Sequence, residues 1–461
     1  MVRRAAVIWV LAFGLYASTL GLHAFARSDY GGDEPHHLLT ALSLVEDRSP
    51  DLLDEYRGRD YASFYPYPLE PHGALTNGRL DEPHGLGFAL LIAPAWAVGE
   101  ETGVELWLAA LAGLAVALAY LLAVRAVPDP WALGATAVVA ASPPLLAYST
   151  AVYPELAAGA VLTGAALLAL RLDERPTRSA TIACFGLLGT LPWLGPRFSP
   201  AGIVVAAFAI GALRRARRPW VALVGLEVVA FSLAVYISVN DNFYGGPTPH
   251  SAGLGDERGT GAEFPGGYVD RAYRLVALLI DREYGVLRWA PVLALALLGA
   301  WLLLRERRGR LARAIPALRR EELTISLCTL VAGAQLLMAA FLAPTMLGIW
   351  FPGRQLVAAL PLAVPLVALG LRRAPRVGAA LALLTLAGSA WLYADLRWGN
   401  GSWTAARPDA PWGPVEAAFP LFRSGETVSY VVAAVLGAAA LSALAVAVSQ
   451  PRWRARRGKL P

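Results

Sequence analysis

The 461-residue sequence predicts an all-α polytopic membrane protein of about 12 transmembrane helices, with interfacial helices in its external loops. Three observations carry this. The chain is 56% hydrophobic and only 16% charged, with a mean hydropathy of +0.49, more apolar surface than a soluble domain of this length needs. Apolar runs long enough to cross a bilayer recur along its whole length. Arginines gather in short clusters between those runs, so the net charge of +6 reflects membrane topology by the positive-inside rule, and no nucleic-acid partner is expected.

Taken in order, the spans are expected to begin near residues 5, 104, 131, 156, 179, 199, 219, 289, 323, 355, 377 and 427. Arg3-Arg4 and the apolar run that follows imitate a secretory signal, but the run is about 20 residues long and fits a retained first span better. The stretch 85–99 is short and broken by Pro94. It reads as an interfacial helix, because counting it as a span would put Arg171 to Arg178 on the outside. The short segments at 179 and 199 flank Pro192 and Pro196. With these assignments both termini and six arginine-rich clusters fall in the cytoplasm, accounting for about 25 of the 40 basic residues. The two cysteines, Cys184 and Cys328, lie inside apolar segments and read as small hydrophobes.

The chain 1–461 is read as a single integral-membrane domain in the plasma membrane. Its long external loops are 27–103, which carries an acidic motif and the interfacial helix, then 240–288 and 393–427. Most of the 34 acidic residues and all six histidines fall on that side, which places the chemistry there.

The first external loop opens with Gly31-Gly32-Asp33-Glu34-Pro35-His36-His37. Asp33 fits the N-cap of a helix with proline in its first turn. It equally fits a general base held at the membrane surface to take a proton from an acceptor hydroxyl. His37 lies four residues on, sharing a helical face with Asp33, and the pair fits either part of a divalent-metal ligand set or a histidine at the surface or supporting the site. Tyr153-Pro154-Glu155 opens a helix after the third span, where Glu155 suits the helix dipole or faces the same cavity as Asp33.

Arg197, Arg288 and Arg354 stand at external membrane edges among aromatic, proline and glycine residues. A guanidinium there either snorkels to headgroups or binds phosphate bidentately and offsets charge on a leaving phosphate. Asp281, Arg282 and Glu283 are expected to pair with one another at the surface, with substrate contact as the alternative. Tyr61, Tyr65, Tyr67, Trp398, Trp403 and Trp412 are candidates for stacking on sugar rings.

Together these segments resemble the GT-C glycosyltransferases, specifically bacterial relatives of the protein O-mannosyltransferases and the aminoarabinose transferases. The Asp33-Glu34 pair is similar to their acidic pair after the first span, and Tyr153-Pro154-Glu155 to their second external motif. Asn242 to Pro247, Asp281 to Pro291 and Trp350 to Leu356 resemble three further motifs. Pro352 before Gly353-Arg354, and Arg288, depart from the family pattern. The resemblance implies a GT-C-like fold and an inverting transfer from a polyprenyl-phosphate sugar to a glycan, lipid or protein acceptor. Asp33 would be the catalytic base with Glu34 beside it. Tyr153, Glu155, Arg197, Arg282, Arg288 and Arg354 would bind substrate. A saccharide ligase or polymerase using a polyprenyl diphosphate is the alternative. A transporter fits less well, because the spans carry almost no charge at the midplane.

Overall fold

The computed structural model describes the whole chain except residues 25–26, 74, 77, 253–266, 306–314, 344, 347, 400, 404–418, 423–426 and 450–461. Most of the third external loop, including Trp412, part of the second, the C-terminal arginine cluster and part of the cluster at 305–320 therefore lie outside the described residues.

Every expected span start falls on a helix. Among the described residues, seven helices are long and apolar enough to cross a membrane, with mean hydropathies between 1.5 and 2.3. Shorter apolar helices occupy other expected positions, among them Trp131–Ala140, Pro291–Arg305 and Thr427–Ala439. Proline and glycine set the boundaries where the sequence placed them. Pro219 and Pro375 sit in the first turns of Pro219–Tyr244 and Pro375–Trp398, where a missing N–H costs nothing. The Arg178–Leu194 and Ser199–Arg215 pair reverses through Gly195-Pro196, with Gly195 at φ +154°.

The helix Leu86–Ala126 is two segments. Gly99 and Glu100 leave helical geometry, and Glu100 takes φ +50°. The first segment is only about 20 Å long at 1.5 Å per residue, short of the ~30 Å hydrocarbon core. It is thus distinct from the spanning segment after it, as an interfacial helix would be.

The bundle has a well-defined centre. In Arg354–Arg373, 94% of the apolar window is buried inside the protein, and in Glu155–Glu174 72%, against 17% for the segment containing Pro219–Tyr244 and 22% for Pro375–Trp398. These last two present apolar side chains such as Phe231 and Leu383 outward, as lipid-facing helices do. The central helix Glu155–Glu174 carries acids at both ends. Glu155 is at its start, whereas Asp173 and Glu174 at its end bind Arg215, Arg319, Arg125 and Arg320 at 2.7–3.0 Å. Those ends are separated by about 28 Å of helix, a bilayer's hydrocarbon thickness, so the charged layers bracket an apolar slab.

Between the first two spans lies a compact loop region. It contains the helix Glu34–Glu46 and a minimal antiparallel hairpin pairing Leu75 with Leu80 and Thr76 with Arg79. Continued outward, that register sets residue 72 opposite 83. The approach is tight: a Cβ on Gly73 would lie 2.1 Å from the Asp81 carbonyl oxygen. Only glycine fits there, and the result is that His72 meets Glu82 and His84.

Candidate active site

The motif after the first span begins with a turn that needs glycine. Gly32 has φ +59°, and a Cβ would lie 2.7 Å from the Tyr153 hydroxyl and 2.9 Å from the Ile349 carbonyl oxygen. The turn delivers Asp33 to the N-cap position of Glu34–Glu46. Yet the Asp33 side chain makes no capping hydrogen bond. Its Oδ2 instead accepts from Arg354 Nη2 at 2.7 Å, across 321 residues of chain.

Arg354 is the hub. Its Nε donates to Glu155 Oε1 at 2.8 Å, and the same oxygen accepts from Arg197 Nη2 at 2.8 Å. The Arg354 guanidinium also lies 4.0 Å from the centre of the Tyr153 ring and 4.7 Å from that of Trp350. It is a cation between two aromatic faces. Gly353, at φ +88°, turns the chain into the short helix that starts at Arg354. Arg354 is 4% and Glu155 2% exposed, so this charge network is desolvated, while the Asp33 side chain retains 23% exposure. Burial alone would raise the Asp33 carboxyl. Arg354, with His84 and His37, overrides it and holds Asp33 well below the usual carboxylate range.

Glu34 has a different environment. It is buried, with Oε2 accepting from the Gly31 N–H and Oε1 from the Val152 N–H, both at 2.8 Å. Tyr153 completes the junction by donating its hydroxyl to the Gly31 carbonyl at 2.9 Å. These contacts lock the acidic turn to the segment before Glu155. Burial pushes the Glu34 carboxyl up to about 8, with the two N–H donors pulling the other way. Glu34 and Tyr153 also line a small open cleft, whose other walls include Tyr30, Glu105, Tyr148 and Trp403.

Six expected site residues, Asp33, Glu34, Tyr153, Glu155, Arg197 and Arg354, thus meet in one place. Arg282 and Arg288 are not in that ion-pair network. Arg282 Nε donates to the Phe419 carbonyl at 3.0 Å, while Arg288 donates to the Arg282 carbonyl and covers the Trp289 ring at 4.8 Å. They fasten the segment before Pro291. Asp281 does not form the expected surface pair with its neighbours. It is buried and accepts from the backbone N–H groups of Glu283, Tyr284 and Phe422, because a carboxylate with three preorganised donors needs no cation to be satisfied.

Beside Asp33 lies a histidine cluster. His72 Nδ1 and His84 Nε2 are 2.9 Å apart, and the His36 and His72 rings stack at 3.9 Å. Two overlapping groups have ligand-type atoms within 4.8 Å of one another, Asp33 with His72 and His84, and His36 with His72 and Glu82. His37, the metal candidate from the sequence, packs its ring 5.2 Å from His84 and 4.9 Å from Phe88, and belongs to neither group among the described residues. Sequence reasoning passed over His72, Glu82 and His84. The signal was Asn77-Gly78, a strong hairpin dipeptide flanked by histidine on both sides.

No family model matches the chain, and no curated protein matches it by sequence. Solved structures do. ArnT from Cupriavidus metallidurans in the apo state superposes with a TM-score of 0.51 at 14% identity, over 85% of this chain and 64% of ArnT. The chain shares the fold of ArnT. ArnT from the same organism bound to undecaprenyl phosphate scores 0.49 at 13% identity, covering 86% and 72% of the two chains. The Archaeoglobus fulgidus oligosaccharyltransferase in the apo form scores 0.45 at 12%, covering 86% and 55%. The likeness to apo ArnT is one of architecture. The chain spans 64% of ArnT's length.

Proposed function

We propose that this chain is an inverting membrane glycosyltransferase. It moves a sugar from a polyprenyl-monophosphate donor to an acceptor hydroxyl on the external face of the plasma membrane, with both termini cytoplasmic. The observation that carries this reading is the network of Asp33, Arg354, Glu155 and Arg197, linked at 2.7–2.8 Å. It sets a partly exposed carboxylate against a buried guanidinium at the end of a central membrane helix, where a lipid-borne phosphate arrives from the side.

In the reaction, the acceptor oxygen attacks the anomeric carbon as its proton passes to Asp33. The bond from that carbon to the phosphate oxygen breaks, and the electron pair leaves with the polyprenyl phosphate. Arg354, aided by Arg197, offsets the charge that accumulates there. Glu155 holds both guanidiniums in place. Glu34 keeps the Asp33 turn docked on the segment before Glu155, and Tyr153 supports the Arg354 plane. Arg282 and Arg288 order the loop behind the site.

The test is sugar transfer in proteoliposomes from a panel of polyprenyl-phosphate sugars, comparing wild type with Asp33→Asn. Transfer by wild type that is lost in a folded Asp33→Asn protein is the expected result. Activity only with polyprenyl-diphosphate saccharides would move the reading to a ligase or polymerase. Undiminished activity in Asp33→Asn would remove Asp33 from the mechanism.

A further inference from the structure

We propose that Asp33, His72 and His84 form a binding site for a divalent transition-metal ion of the zinc class, buttressed by Glu82. The site shares Asp33 with the proposed reaction, but its test reads metal binding and not sugar transfer, so the two can fail separately. Its first support is geometric. The donor atoms of the three residues lie within 4.8 Å of one another, and His72 Nδ1 faces His84 Nε2 at 2.9 Å. Two imidazole nitrogens that close share one proton at best, whereas a cation drawn in between them uses both lone pairs. Asp33 already gives Oδ2 to Arg354, which leaves Oδ1 for the ion.

The second support is an orphaned atom. Glu82 is 4% exposed. Its Oε1 accepts from the Tyr56 hydroxyl and from the His72 N–H at 3.1 Å, with His36 Nδ1 at 3.2 Å. Its Oε2 has no hydrogen-bond partner and sits 3.8 Å from His84 Nε2. A buried carboxylate oxygen left unsatisfied is costly. A cation held by His72 and His84 would supply the missing positive charge.

Ligand chemistry narrows the ion. Two imidazoles with carboxylate oxygen suit zinc, cobalt or nickel, whereas magnesium and calcium prefer all-oxygen shells. Three protein ligands leave a further coordination position open, as in catalytic rather than structural zinc sites. The ion would also tie the 72–84 hairpin to the start of Glu34–Glu46.

The experiment uses the full-length protein in detergent, freed of affinity tag and stripped with chelator, then titrated with Co²⁺ while its visible ligand-field bands are recorded. Wild type is expected to show intense bands of a low-coordinate site, to lose them on adding Zn²⁺, and to keep them in excess Mg²⁺. His84→Gln, a mild change at a side chain 19% exposed, is expected to weaken Co²⁺ binding at least tenfold, as is His72→Ala, while His37→Ala is expected to retain it. Zn²⁺ should also raise the unfolding temperature of wild type and not of His84→Gln, an arm that stands if His72→Ala fails to fold. Absence of bands in wild type, or binding undiminished in His84→Gln, would overturn the proposal.

Discussion

Replacing Arg354 with methionine removes the cation at the centre of the acidic network while keeping an apolar stem of similar length. Two charge-assisted hydrogen bonds disappear, at 2.7 and 2.8 Å, each worth about 1.5–3 kcal/mol. So do contacts with the faces of Tyr153 and Trp350, worth about 0.5–2 kcal/mol each. Much of that sum is offset by regaining the hydration Arg354 gave up, and breaking one member of a buried ion pair costs about 3–5 kcal/mol in net terms. The lower end applies here. Glu155 keeps Arg197 as a partner, and Asp33, 23% exposed, can recover water. A loss of about 3 kcal/mol is therefore expected, read by denaturant unfolding in mixed micelles. Asp33→Asn combined with Arg354→Met should be less destabilised than the two single changes added together, by about 1 kcal/mol or more, because the residues touch. An Arg354→Met protein within about 0.5 kcal/mol of wild type, or a strictly additive pair, would refute the reasoning that this contact is a coupled, desolvated one.

Two further tests address the turn before Asp33. Gly32→Ala is expected to cost well over the ~1 kcal/mol of a left-handed backbone alone, since its Cβ would meet the Tyr153 hydroxyl and the Ile349 carbonyl. Gly245→Ala, at φ +70° with nothing within 4 Å, should show only the backbone cost, and equal losses at the two sites would contradict this. Glu34→Gln probes the carboxyl that burial raises to about 8. A raised acid favours the folded state below its unfolded pKa, about 4.3, and that advantage fades as pH climbs towards 8. Wild type should thus lose stability relative to Glu34→Gln between about pH 4.3 and 8, and parallel melting profiles would show that Glu34 does not titrate in this window.

The helical plan was legible because its determinants are local: apolar run length, arginine clusters and proline-glycine punctuation. Even the break before the second span was visible, as a stretch too short and too proline-marked to cross. The site was legible only in part. Local sequence made Asp33 a plausible N-cap, since Gly-Gly-Asp-Glu-Pro satisfies every rule for one. What takes its side chain away is Arg354, brought from the far end of the chain by packing that no local rule encodes. Asp281 misled in the opposite sense. Its charged neighbours suggested ion pairs, but the backbone turns around it and offers three N–H groups. Glu82 and the two histidines beside the hairpin went unnoticed because their meeting depends on strand register and on the close approach at Gly73.

The pairing of Asp33 with Arg354 bears directly on how the proposed base would work. A carboxylate held well below its usual range is a poor proton acceptor, and each unit of depression removes about 1.4 kcal/mol of driving force. The same guanidinium that depresses it is the group proposed to receive the donor phosphate. The donor's phosphodiester offers two anionic oxygens and accepts the guanidinium fork bidentately, so it competes with Asp33 for Nη2. When it wins, the attraction that holds the Asp33 proton affinity down weakens, while burial, which acts in the raising direction, remains. Asp33 then gains basicity only with a donor in place, whereas Arg354 stays anchored through Nε on Glu155. An enzyme built this way would not activate acceptor hydroxyls idly, and its ion pair would couple donor binding to acceptor deprotonation through a single side chain.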